Sequence, residues 1–184
     1  MQHGDSPDGS PDPFHLPAGI QLPIKQKVAI YLFDKDLKSV LTFTQAESPE
    51  AGRQVPAGTV EDVDESLLHT ATRELAEETG VMADTRLFHF GNSIYDMSKY
   101  KNEIHLRVWF FGIDLNESFP QSSWTFVEQR PHAPEVTGIF EWTPLETVSS
   151  QLIAGHSHLL GLALDLARQW MPEISREHSP HVAK

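Results

Sequence analysis

Cysteine is absent from all 184 residues. Disulfides and thiolate metal sites are therefore excluded, while the redox compartment stays open. Basic residues are scarce: 14 Lys and Arg stand against 26 Asp and Glu, a formal net charge of -12. Such a chain is a poor nonspecific partner for nucleic-acid backbones or anionic membranes. It can still take phosphorylated ligands, because a local divalent cation reverses the field within a site. No apolar run approaches the roughly 20 residues that cross a bilayer, and the N-terminus has no signal-peptide pattern. With 39% hydrophobic content, these absences predict one soluble, cytoplasmic domain with a sizeable core.

Regular structure is not expected at the ends. Pro7, Pro11, Pro13, Pro17 and Pro23 sit among Gly, Ser and Asp, a composition that resists helix and sheet alike. Residues 1–24 are read as a flexible tail in which Phe14 and Ile20 could dock, residues 25–172 as the folded domain, and residues 173–184 as a second tail. Within the domain, strands are expected at Lys27–Phe33, Val40–Thr44, Leu87–Tyr95, Ile104–Phe111, Trp124–Glu128 and Ile139–Trp142. A short helix should start around Pro144–Glu146 and a longer one span Ser157–Trp170. In the Ile104–Phe111 strand, His105, Arg107, Trp109 and Phe111 share one side; the alternation predicts a half-buried strand lining a pocket.

The most informative stretch is VPAGTVEDVDESLLHTATRELAEETGV, Val55–Val81. No Gly or Pro interrupts Val60–Thr79, and Leu68, Ala71 and Leu75 recur at helical spacing. Asp62 or Asp64 is the expected cap, and Gly80 suits the left-handed position after the last turn. Glu74, Glu77 and Glu78 project from one side of that helix, near its partially negative end. Mutual repulsion there calls for a cation; the oxygen donors suit Mg²⁺, with Mn²⁺ as the alternative. A solvated acidic face would explain the same spacing without any ligand.

This stretch resembles the Nudix box: Gly, five residues, Glu, seven residues, Arg-Glu, an apolar residue, any residue, Glu-Glu, any residue, Gly, an apolar residue. Arg73-Glu74-Leu75-Ala76-Glu77-Glu78-Thr79-Gly80-Val81 reproduces its second half. The first half is irregular, with six residues between Gly58 and Glu65. Either the loop carries one extra residue or Asp64 takes the acidic position and the extra residue falls later.

The resemblance implies an α/β fold, an α/β/α sandwich around a mixed β-sheet. It also implies metal-dependent hydrolysis of a phosphoanhydride in a nucleoside diphosphate linked to another moiety: a nucleotide sugar, a dinucleotide or a nucleoside triphosphate. The alternative is a catalytically weak or inactive nucleotide-binding regulatory module. On this reading Gly58, Glu74, Glu77 and Glu78 bind metal, Glu77 and Glu78 serve catalysis, and Arg73 orients a glutamate. Glu65 supports the loop or the acidic network. A general base comes from outside the box, with Glu135 first, then Glu128 and Glu141. Tyr95, Tyr100, Trp109 and Trp124 could stack on a base, and His105 and Arg107 could meet phosphates or ribose; Tyr95, Arg107 and Trp109 are taken as the substrate contacts.

No proline stands fifteen or sixteen residues beyond Gly80, which lowers the case for the family's ADP-ribose hydrolases. The upstream pattern of its coenzyme A hydrolases is also missing. No histidine is assigned to metal. The expected partner is a small phosphorylated nucleotide, with no nucleic-acid polymer and no membrane; a homodimer is compatible with the sequence.

Overall fold

The computed structural model describes residues 22–129 and 134–177, with side chains as far as 173. The docking considered for Phe14 and Ile20, and the tail histidines, lie outside these residues. Seven strands form one sheet: β1 Ile24–Asp34, β2 Ser39–Gln45, β3 Ala57–Thr59, β4 Leu87–Asp96, β5 Ile104–Asp114, β6 Trp124–Glu128 and β7 Val136–Pro144. Helix α1 is Leu67–Thr79, α2 Leu145–Val148 and α3 Leu160–Glu177. The strand order is β4-β5-β1-β2-β7-β6, with β3 paired to β1. Only β1 and β5 run parallel, which makes the sheet mixed.

Alternation along β1 and β5 divides the core into two layers. Val28, Ile30, Leu32, Val108 and Phe110 pack with Ala71 and Leu75 of α1. Ala29, Tyr31, Phe33, Trp109 and Phe111 pack with Val148 of α2 and Leu160, Ala163 and Ala167 of α3. The result is the α/β/α sandwich expected from the sequence. Each fully buried Ile, Leu or Phe contributes about 1.5–3 kcal/mol, so the two central strands carry much of the stability. β5 is not half-buried as its alternation suggested. It lies between β4 and β1 with helices over both faces, and polar His105 and Arg107 are buried with it.

Helix α1 starts later than expected. Ser66, not Asp62 or Asp64, is the N-cap, its Oγ accepting the His69 amide at 3.1 Å. Asp64 is unavailable for capping because its carboxylate takes Arg73 and the Glu61 amide instead. Leu67, rather than Leu68, joins the packed face, and Leu68 is 48% exposed. Gly80 closes the helix as foreseen, with φ 73° and its amide bonded to the Ala76 carbonyl at 2.9 Å. The last helix also shifts: Ser157 to Leu159 form turns that follow Gly155 (φ 72°), and the helix continues past Pro172 to Glu177. No helix among the described residues is long and apolar enough to cross a membrane.

The sheet splits between β1 and β2. β1 and β2 pair only at Phe33↔Val40. Beyond that point Pro56 and β3 take over the edge of β1, while Gln54 bonds to Phe43 of β2 in both directions at 2.9 Å. The inserted Gln54–Thr59 stretch, part of which reads as a loop in the sequence, wedges the two halves of the sheet apart and leaves a cleft between them.

Gly80 is doubly constrained, since an added Cβ would overlap the Phe126 ring and the backbone is left-handed. Gly80→Ala should destabilise the fold by about 1–3 kcal/mol. Urea unfolding would read this as a lower midpoint at unchanged slope.

Candidate active site

The cleft has a volume of about 680 Å³. One wall comes from β1, β3 and α1 through Lys27, Gly58, Arg73, Glu74, Glu77 and Glu78; the other comes from β2, β6 and β7 through Phe43, Glu128, Gly138 and Phe140. His105 and Arg107 of β5, and the Ile153–His156 segment before α3, close its end.

Arg73 organises the acidic wall. Its Nε and Nη2 donate to the two Asp64 oxygens at 3.0 and 2.9 Å, a bidentate fork. Nη1 donates to Glu77 at 2.8 Å and Glu74 at 3.1 Å, and Nη2 also reaches the Thr59 carbonyl at 3.3 Å. The cation demanded by the three glutamates is thus supplied in part by the protein. Asp64, with its side chain 1% exposed, is held well below the usual carboxylate range, chiefly by the Arg73 hydrogen bonds and then by the Glu61 amide. Asp64 and not Glu65 therefore meets Arg73, while Glu65 is exposed. Counted this way, Gly58 is followed by five residues and then an acid, and the extra residue falls in the entry to α1.

The three glutamates differ in environment. Glu74 is 8% exposed, and burial pushes its carboxyl up against the opposing pull of Arg73. It rests on β3 at Gly58, where any Cβ would overlap its carboxylate. Glu78 accepts the Ala57 amide at 3.0 Å. Glu77 is the most open, with its side chain 53% exposed. Lys27 reaches into the same wall, donating to Thr59 Oγ1 at 2.5 Å, and burial lowers its ammonium.

Carboxylates with an adjacent backbone carbonyl are the donor chemistry of Mg²⁺ or Mn²⁺, and the glycine cradle under Glu74 fits such a use. Among the described residues, however, no three His, Cys, Asp or Glu side chains already converge to hold an ion. Arg73 and the Ala57 amide occupy the oxygens that would have to turn.

The remaining sequence candidates separate clearly. Arg107 lines the cleft; its guanidinium is lowered to about 10 by burial and lies 4.5 Å from the centre of the Tyr95 ring. Tyr95 is itself buried and acts as the platform for Arg107. Trp109 does not line the cleft. It is fully buried, stacked on Tyr31 at 4.9 Å with Nε1 donating to Ser93, so no base could reach its face. Trp124 is also structural, with its ring on Phe140 and Nε1 donating to the Thr79 carbonyl at 3.0 Å.

Tyr100, 48% exposed, does line the cleft. Glu128 lines it as well. Glu135 is exposed outside it and accepts from Gln129, a cleft residue, at 2.9 Å. Glu141 is paired with Arg53 at 2.5 Å and does not line the cleft.

Sequence reasoning missed Lys27, Lys101 and His156. In the sequence Lys27 reads only as a strand residue. Its pairing with Thr59 in register follows from the wedge, which no periodicity announced. His156 is drawn in by Val55, whose amide donates to its Nδ1 at 3.2 Å, and burial keeps the imidazole neutral.

The profile of the NUDIX domain family matches residues 23–161. The chain belongs to the Nudix hydrolase family. No curated protein matches the chain. Solved structures share the fold at low identity. The NUDIX domain of Shewanella oneidensis NrtR complexed with ADP ribose is 22% identical, with 84% of this chain and 92% of that one covered and a TM-score of 0.54. The E. coli dihydroneopterin triphosphate pyrophosphohydrolase is 15% identical over 79% and 99%, with a TM-score of 0.55. The MutT protein from Methanosarcina mazei Go1 is 17% identical over 88% and 99%, with a TM-score of 0.51.

The Asp64–Arg73 fork makes stability depend on pH with a definite sign. A carboxyl depressed by folding contributes stability above its unfolded value near 4, and that contribution is lost as pH falls through the folded value. Asp64→Asn should therefore be less stable than the wild type at neutral pH. The gap should narrow progressively below about pH 4, as read by chemical unfolding across a pH series.

Proposed function

We propose that this Nudix protein hydrolyses a phosphoanhydride bond in a nucleoside diphosphate linked to another group, using a divalent cation. One juxtaposition carries the reading: Glu74, Glu77, Glu78 and the Gly58 backbone open on the same cleft as Lys27 and Arg107. Acidic donors and cationic side chains facing one cavity suit a metal-bound phosphorylated substrate, which needs both.

The three glutamates and the Gly58 carbonyl would hold Mg²⁺ or Mn²⁺. Once bound, the cation supplies Lewis-acid polarisation of a phosphoryl oxygen and acidification of a bound water. The rest of the work falls to the chain. Gly58 keeps the β3 backbone close enough for Glu74 to lie against it. Arg73 keeps Glu74 and Glu77 aimed at the cleft while remaining anchored on Asp64.

We assign Glu128, a cleft carboxylate of β6, to take the proton of the attacking water; Glu135 is the second candidate, one hydrogen bond behind Gln129. A new P–O bond forms to the water oxygen and the bridging P–O bond breaks. Lys27 meets the charge left on the departing phosphate. Tyr100 stands at the rim as an aromatic surface for a base.

The second reading is a nucleotide-binding regulatory module with little turnover. One observation favours it: the carboxylates are already engaged by Arg73 and the Ala57 amide. A Mg²⁺-dependent screen over nucleoside triphosphates, nucleotide sugars, ADP-ribose and dinucleoside polyphosphates separates the two. Tight binding with no metal-dependent product on any of them would sink the hydrolase.

Two variants test the assigned roles. Glu78→Gln should lower turnover at least roughly 100-fold with the fold intact, because it removes a charged donor at small steric cost. Gly58→Ala should leave the unfolding midpoint nearly unchanged, since the Glu74 carboxylate can swing away. It should still cut kcat by about tenfold or more, because the displaced carboxylate no longer faces the cation. Wild-type kcat in Gly58→Ala would remove the cradle from the account.

A further inference from the structure

At the end of the cleft away from α1, a guanidinium is buried with no acidic partner among the described residues. Arg107 is 3% exposed. Among the described residues its partners are the Ala154 carbonyl at 2.5 Å, the Met97 sulfur at 3.6 Å and the Tyr95 ring. A carbonyl and a thioether use part of a five-donor fork and neutralise none of its charge. A desolvated cation left in that state is costly, and an anion offsets the cost.

Its surroundings are those of a binding site. His156 also lines this end, and the Val55 amide on its Nδ1 fixes the ring proton on Nε2, which makes it a donor. Lys101 adds a second cation. Register sets the spacing. Lys27 pairs with Arg107 on one side and Thr59 on the other, so the Arg107 backbone lies two strand spacings, about 10 Å, from the β3 backbone, and its guanidinium turns onto Tyr95 of β4, on the side of β5 away from β1. That span exceeds a single phosphoanhydride link.

We propose that this end of the cleft is a subsite for a terminal phosphate of the substrate, held by Arg107 with the Nε2–H of His156 and Lys101 as further donors. Preferred substrates then carry a phosphomonoester beyond the anhydride that is cut. Its place relative to the cut bond rests on the hydrolase reading; the binding itself does not. A nucleoside polyphosphate and a phosphorylated sugar linked to a nucleoside diphosphate share this chemistry.

The first test omits divalent metal. The full chain in EDTA is titrated with inorganic phosphate and followed by ¹H–¹⁵N spectra of the backbone amides and of the Arg and His side chains. Saturable shifts of Arg107 and His156 are expected, with at least tenfold weaker binding in Arg107→Gln. No shift, or shifts confined to the Gly58 and Thr59 amides, overturns the subsite, and this wild-type arm decides the matter if the variant fails to fold.

The second test uses Mg²⁺ and compares kcat/KM for substrates with and without the terminal phosphate. Wild type should prefer the phosphorylated member, in the polyphosphate pair or the sugar pair, whichever is the source, and Arg107→Gln should lose at least tenfold of that preference. An unchanged preference overturns the proposal. If no substrate turns over at all, the hydrolase reading fails while the metal-free titration still decides the subsite.

Discussion

The arrangement of the site depends on one guanidinium. Arg73 leaves α1 and grips Asp64 with two parallel hydrogen bonds, a geometry that lysine could not reproduce. The same group reaches Glu74, Glu77 and the Thr59 carbonyl. It therefore ties three things together: the loop entering the helix, the acidic face of the helix, and the strand wedged against β1. Without it, a buried Glu74 would face Glu77 across a low-dielectric wall with only Lys27 to offset the charge.

That wedge opens a cleft in the sandwich. A sheet closed along its whole length between β1 and β2 would present no cavity. Here the pair is surrendered after Phe33↔Val40, and its backbone groups are satisfied by the Gln54–Pro56 stretch on both sides. The hydrogen bonds are kept, in line with the cost of burying unpaired backbone groups. The opening therefore comes at little energetic cost, and it lies beside the C-terminal two turns of α1, where the glutamates stand. The same inserted stretch opens the cleft and supplies β3, against which the acidic helix packs.

Much of this was legible in the sequence because it is local. Strand alternation located six of the seven strands, and Arg73-Glu74 through Gly80-Val81 announced the helix and its end. What stayed hidden is non-local. Two adjacent acids, Asp64 and Glu65, are equivalent on paper; only the three-dimensional reach of Arg73 distinguishes the buried partner from the exposed one. Trp109 and Arg107 sit two apart on one face of β5, so their pattern predicts a shared role. The cleft ends between them because Trp109 is sealed by Tyr31, and no periodicity reports where a cavity stops. β3 is only three residues long, too short for alternation to register, and it owes its existence to the edge of β1.

The bonds that Arg73 makes also determine how the site could accept a cation. Glu77 is half exposed and held by one hydrogen bond, so turning it toward an ion costs about what an exposed pair is worth, 0–1 kcal/mol. Glu74 is less free, but it lies on the bare backbone of Gly58, where no side chain stands in the way of its carboxylate. When both carboxylates turn, Arg73 loses only Nη1 contacts and keeps its bidentate hold on Asp64 and its bond to Thr59. The guanidinium is never stranded as a buried unpaired charge, and the loop it anchors does not move. Asp64 thus gives the site a fixed side and a releasable side. A lone Arg–Glu pair, which must break entirely to admit a cation, could not provide both.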